Sequence, residues 1–149
     1  MKKAKMARLS ASGFTLVELA VVIVIIGVLA AFAVPRFRDA VERSKASESF
    51  NYLSSIRAAQ ERYHARQGTY AASVTMLDIK FGAPKYFSVG DVAAGTTGSL
   101  EDSWTQTLTR VGASAGYGAY TVTFTEDGFD SDVTKSTIAG LDTINPMTT

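Results

Sequence analysis

The sequence has 149 residues, 46% of them apolar, no cysteine and a formal net charge of +1. That length suits one domain and leaves little chain for a second. The missing cysteine excludes disulfides, thiolate metal sites and a cysteine nucleophile, and the near-neutral charge argues against a general polyanion binder. The average conceals segregation: residues 14–34 alone supply 18 of the apolar side chains. The rest has an ordinary soluble composition.

Residues 1–13 carry Lys2, Lys3, Lys5 and Arg8 with no acid. From Phe14 to Val34 only Thr15, Glu18 and Gly27 interrupt the apolar run. As a helix this stretch is about 32 Å long, enough for a bilayer core of roughly 30 Å. The basic residues before it place the N-terminus on the cytoplasmic side under the positive-inside rule. A secretory signal has a shorter apolar core followed by small residues. Here Ser10, Ala11, Ser12 and Gly13 precede the run. Glu18 is the other anomaly, because a carboxylate within a membrane helix is costly and implies a partner. Two readings of it remain open: hydration at the headgroup level, or pairing with an amine made by cutting the chain before Phe14.

Gly13-Phe14-Thr15-Leu16-Val17-Glu18-Leu19, behind a basic leader and heading a long apolar helix, resembles the signature of type IV prepilins. That family comprises type IV pilins, minor pilins and the pseudopilins of type II secretion. The resemblance implies cleavage by prepilin peptidase between Gly13 and Phe14, and N-methylation of Phe14. It also implies that Glu18, with Phe14, sets subunit register in a filament. Gly27 and Pro35 match positions where the family has helix-loosening residues. The implied partners are other pilin subunits, the peptidase and an inner-membrane assembly platform. The implied location is the bacterial inner membrane, single-pass with a cytoplasmic leader, then a periplasmic or extracellular filament.

Pro35 lacks an N–H and clashes with the preceding turn, so a kink or local melting is expected between Gly27 and Pro35. A gently bent continuous helix is the preferred form for an isolated subunit. Beyond it, Phe37, Val41, Phe50, Leu53, Ile56, Ala59 and Tyr63 recur at helical steps, predicting an apolar stripe packed on a sheet. Arg38, Glu42, Arg43, Lys45, Glu48, Arg57, Glu61 and Arg62 are assigned to the remaining surface. Gly68 reads as the stop of a helix running from about Thr15 to Arg66. Val74 to Ile79 predicts a short helix or tucked loop, Tyr86 to Val89 a strand, and Gly90 to Ser99 a flexible loop. Trp104 to Val111 and Tyr117 to Thr125 predict a hairpin around Gly112 to Gly118, the second strand alternating apolar residues with Thr121, Thr123 and Thr125 toward one wet face. A last strand is placed around Val133 to Ile138. The fold class is α+β: a long N-terminal helix whose second half packs on a small antiparallel sheet, as in the pilin lollipop fold that the resemblance implies. The segments are a leader (1–13), an apolar helix (14–35), its amphipathic continuation (36–66) and a head (67–149).

No catalytic constellation is present in the sequence. His64, the one histidine, lies on a charged helix and reads as a solvated surface residue. No G-x-S-x-G elbow, P-loop or G-x-G-x-x-G occurs. Glu126, Asp127, Asp130 and Asp132 surround Gly128, making Asp127, Asp130 and Asp132 a candidate Ca²⁺ set. Their spacing departs from the EF-hand pattern, so a solvated turn is preferred and no cofactor is expected. Residues 67–149 carry four bases and nine acids, which counts against a nucleic-acid-binding head. The resulting expectation is a structural, non-enzymatic filament subunit. The alternatives are a type II secretion pseudopilin, whose Asp-Pro-Trp-Gly type segment is missing here, and a DNA-uptake minor pilin. Many type IVa pilins close a C-terminal loop with a disulfide that this chain cannot form.

Overall fold

Helix α1 spans Leu16–Gln67 without interruption, Pro35 included, in a computed structural model that describes residues 13–112 and 116–148. The chain divides into two compact units, Met1–Phe37 and Arg38–Thr149. The leader residues Lys2, Lys3, Lys5 and Arg8 lie outside the described residues. At 52 residues α1 is about 78 Å long. Pro35 removes one donor from the ladder, yet the helical assignment continues through both Gly27 and Pro35. Gly68 ends the helix as anticipated: its φ of 75° is the left-handed cap conformation, and its N–H reaches the His64 carbonyl at 2.8 Å.

In the second unit the sheet comprises β1 (Phe87–Val89), β2 (Ala93–Ala94), β3 (Trp104–Arg110), β4 (Thr121–Thr125) and β5 (Gly128–Phe129). All pairings are antiparallel, in the order β1-β3-β4-β5, with β2 also on β3. The predicted loop after Gly90 therefore contributes a strand of its own. Gly90 stands between β1 and β2, and a Cβ there would lie 2.6 Å from the Thr107 carbonyl oxygen, so only glycine permits this approach. Val74–Met76 forms a short 3₁₀ helix.

Every second residue of β3 is buried: Trp104, Gln106, Leu108 and Arg110. With Phe87, Tyr120, Val122 and Phe124 they share the core with Ala46, Phe50, Leu53, Ile56 and Ala59 of α1. The predicted stripe holds for its later members. Phe37 and Val41 are exposed, at 70% and 38%, on either side of a half-buried Asp39 that accepts the Tyr117 hydroxyl.

The first buried position of α1 is Glu42, and it corrects the sequence reading. Assigned to the surface, it is 2% exposed. Arg110, 68 residues away and itself 4% exposed, donates to it through Nε at 2.5 Å and Nη2 at 3.2 Å, and the Tyr120 hydroxyl donates at 3.0 Å. Lys45 approaches from the next turn at 3.2 Å. The guanidinium also donates to the carbonyls of Tyr86 and Val111. Two charges are thus desolvated, and this geometry satisfies them.

Polar residues of α1 tie down the connection to the sheet. The buried Gln60 amide exchanges two hydrogen bonds with Ala71, at 3.0 and 2.8 Å. The Glu48 carboxylate accepts the N–H groups of Lys85 and Tyr86. Arg62 donates to Asp78 and holds its carboxyl below the usual value.

Two strand expectations change. Val133 to Ile138 is a turn followed by a 3₁₀ helix, Thr137–Gly140. The Asp132 carboxylate accepts the Thr134 N–H, and its carbonyl accepts those of Lys135 and Ser136, so these donors curl the chain instead of extending the sheet. The curled segment then covers the face expected to be wet. Thr123 is 2% exposed, its hydroxyl donating to the Lys135 carbonyl at 2.7 Å. The C-terminal segment buries Ile138 and Ile144, and Arg43 of α1 donates to the Thr148 carbonyl at 2.7 Å.

Replacing Glu42 with Ala removes the carboxylate that accepts from the buried Arg110 and is expected to destabilise the fold by about 3–5 kcal/mol. Urea denaturation of the detergent-solubilised chain, followed by tryptophan fluorescence, measures this. A loss below about 1 kcal/mol would contradict the buried-pair assignment.

Burial, and secondarily the neighbouring Glu42 charge, raises the Tyr120 hydroxyl above its ordinary 10.0. The folded state then keeps a proton that the unfolded state has lost, so this contribution is complete below about pH 10 and falls as pH rises further. Tyr120→Phe is expected to flatten the alkaline limb of the stability profile. An unchanged slope in denaturation between pH 9 and 11.5 would exclude Tyr120 as its source.

Candidate functional site

In the first unit, the described residues 16–37 are all exposed, and the apolar run has no internal partner. Phe14 is 83% exposed and Leu16 85%. Water does not stabilise such a surface. Burying each large apolar side chain is worth about 1.5–3 kcal/mol, and α1 is long and apolar enough to cross a membrane.

The start of this helix is built by a reciprocal pair. The Glu18 N–H donates to Thr15 Oγ1 at 3.2 Å. In return, Glu18 Oε2 accepts both the Thr15 N–H and the Thr15 hydroxyl at 2.8 Å. This is a capping box, with Thr15 immediately before the first helical residue and Glu18 at the third position. The negative carboxylate also lies at the positive end of the helix dipole. Glu18 Oε1 has no hydrogen-bond partner among the described residues.

Thr15 is the member that the sequence reading overlooked. The T-x-x-E spacing ahead of an apolar run was its visible signal. Gly13 and Phe14 lie just outside the helix, both exposed, and among the described residues nothing stands within 4 Å of a Cβ built on Gly13. Gly13, Phe14 and Glu18 therefore fall within one short accessible segment. Gly27 and Pro35 lie farther along α1.

The other singled-out residues have structural surroundings. His64 stacks on Tyr70 with ring centroids 4.3 Å apart, and its Nε2 lies 3.0 Å from the Glu101 carbonyl oxygen. It is half-buried, a departure from the solvated position expected of it. Burial, reinforced by Glu61, Glu126 and Asp127, raises the Tyr70 hydroxyl above its ordinary value.

The candidate calcium set of Asp127, Asp130 and Asp132 does not assemble. Among the described residues no group of three or more histidine, aspartate or glutamate side chains is placed to hold a metal ion. Asp130 pairs with Lys135 at 3.1 Å and accepts the Asp132 N–H, while Asp132 caps Thr134. These carboxylates fold their own turn.

Residues 8–34 match the prokaryotic N-terminal methylation motif family. Fimbrial protein EcpC of Eikenella corrodens is 40% identical over 106 residues, covering 70% of this chain and 67% of that protein. The type IV narrow pilus major component PilA5 of Thermus thermophilus is 36% identical over 95 residues, covering 64% and 75%. The type IV major pilin protein PilA of Myxococcus xanthus is 42% identical over 59 residues, covering 40% of this chain and 27% of that protein. With an exposed apolar helix, a capped start bearing Glu18 and an antiparallel sheet packed on the helix's later turns, this chain belongs to the type IV pilin family.

Proposed function

We propose that the chain is a structural subunit of a type IV pilus or pilus-like filament, cut between Gly13 and Phe14, methylated on the new Phe14 amine and polymerised through α1. The observation that carries this reading is the wholly exposed apolar stretch of residues 16–37 beginning at the Thr15–Glu18 box. Before assembly a bilayer covers that surface, with the leader in the cytoplasm and the head in the periplasm. After assembly, the helices of neighbouring subunits cover it. Residues 1–13 act as the leader, 14–35 as the anchor and assembly segment, 36–66 as its amphipathic continuation and 67–149 as the remainder of the head.

Glycine before the cut lets an extended backbone enter a protease cleft without a side chain in the way. Prepilin peptidase is the processing partner, and an inner-membrane platform delivers the mature subunit to the filament. Cleavage creates an amine at Phe14, four residues before Glu18. Thr15 already supplies donors to Oε2, leaving Oε1 for an amine of a neighbouring subunit. Each group relieves the desolvation of the other, and the pairing fixes the axial offset between subunits. Gly27 and Pro35 are where α1 can loosen under extension, since Pro35 has already removed one rung of its ladder. The similarity to fimbrial and pilus proteins favours this reading over a secretion pseudopilin.

Gly13→Ala is expected to leave an uncut, membrane-retained precursor in cells that supply the peptidase. A mature mass by intact-protein mass spectrometry would defeat the assignment of the cut.

Glu18→Ala is expected to be processed normally and to give few or no filaments. Wild-type filament yield in sheared fractions from that variant would remove Glu18 from the register role.

A further inference from the structure

We propose that the end of the second unit at which its chain begins docks on the headgroup layer of the bilayer that holds residues 14–35. This surface rests on the membrane-anchored stage of the filament reading. Three segments of the second unit converge on residues 39–43 of α1. The Tyr117 hydroxyl donates to Asp39. Arg110 donates to Glu42 and brings the end of β3 to the same turn. Arg43 Nη2 lies 2.7 Å from the Thr148 carbonyl oxygen and 3.5 Å from that of Pro146, which brackets Met147.

Each part of this end carries an exposed apolar side chain: Val41 on the helix, Val111 just past β3 at 43%, and Met147 at 62%. Tyr117 is half-buried beside them. Lys45 is paired with Glu42, and Arg43 is held by carbonyls. The remaining charges oppose each other. Arg38 is exposed and forms no ion pair among the described residues, while Asp142, whose carbonyl accepts the Thr148 hydroxyl, is an exposed acid. Apolar area, not charge, therefore selects the partner.

The length of chain identifies that partner as lipid. Pro35 ends the apolar segment four residues before Asp39 and eight before Arg43. Along α1 these steps are about 6 and 12 Å, and a headgroup layer adds about 5–8 Å on each side of the hydrocarbon core. Apolar side chains enter the headgroup and acyl boundary by about 5–10 Å, where tyrosine is also favoured. Met76, another exposed apolar residue, has no such tether: the nearby Asp78 accepts from Arg62, about 36 Å farther along α1 than Arg38. Docking needs no second subunit, so it holds the head of the stored monomer and is broken when α1 leaves the bilayer.

The chain has no cysteine, so one introduced thiol carries one nitroxide label. The full chain is reconstituted in phosphatidylcholine nanodiscs, and label collisions are measured with oxygen, which concentrates in lipid, and with a water-soluble nickel chelate. The oxygen-to-nickel ratio at Met147→Cys is expected to exceed that at Met76→Cys by about two-fold or more. Equal ratios would overturn the docking surface. Adding Val41→Asp and Val111→Asp, both at exposed positions, should bring the Met147→Cys ratio down to the Met76→Cys value. A ratio that persists would show the label inserting by itself, which also overturns the surface. Fluorescence of the buried Trp104 checks that each variant stays folded. Raised salt should leave the ratio unchanged, and its loss would transfer the contact to charge and remove the apolar assignment. A label at Leu29→Cys separates the two claims. Water exposure there would retire the membrane anchor and this surface with it, whereas a lipid-exposed Leu29 position with a water-exposed Met147 position overturns the surface alone.

Discussion

One continuous helix has to satisfy two environments, and this constraint organises the rest of the molecule. Up to Phe37 its surface is apolar and uncovered, which makes sense only for a helix surrounded by lipid or by other helices. From Glu42 onward one stripe is buried under the sheet while Arg57, Glu61, Arg62 and Arg66 remain exposed. The change occurs within about one turn, between an exposed Arg38 and a buried Glu42, with Asp39 half-buried between them. The physical function of the first half fixes its composition. The second half must supply both a core face and the polar contacts that hold the head to it.

Those contacts begin at Glu42. Hydrophobic burial is non-directional, so Phe50, Leu53 and Ile56 would accept several offsets of helix against sheet. The Glu42–Arg110–Tyr120 cluster accepts very few, because a one-residue slip of β3 turns Arg110 to the opposite face and strands both charges. A buried ion pair adds little net stability over an apolar replacement of the same shape. Its contribution here is registry between α1, β3 and β4. At the helix start the Thr15–Glu18 box likewise orients a carboxylate.

The sequence exposed what depends on local periodicity and left hidden what depends on long-range partners. The apolar run and the helix stop at Gly68 were legible from local sequence, whereas the wet face expected of β4 was not, because the 133–136 segment covers Thr123. Glu42 was assigned to solvent because its partner lies 68 positions away and nothing nearby in sequence marks it. Gln60 is similar: its two bonds to Ala71 require knowing that the chain turns back after the helix. The strand expected at Val133 to Ile138 failed for a local reason, since Asp130 and Asp132 capture the N–H groups that a ladder needs. At the candidate site Gly13, Phe14 and Glu18 were legible as a motif. Thr15 was equally visible, and its role emerged only when its bonds to Glu18 were seen.

The lack of cysteine shifts a mechanical burden onto these polar contacts. A disulfide would close the C-terminal loop chiefly by restricting the unfolded chain. Here Ile138 and Ile144 anchor the segment by burial, Lys135–Asp130 and Thr121–Thr137 fasten its turn, and Arg43 holds the carbonyl of Thr148. Each bond is individually modest, about 0.5–1.5 kcal/mol net, and each can re-form after breaking. A covalent staple sets one closure point, whereas this arrangement distributes closure over α1, the outer sheet face and the segment itself. It thereby couples the fold of the C-terminal segment to the position of the helix. Glu42 ties the sheet, and Arg43 the C-terminal segment, to one turn of the same helix.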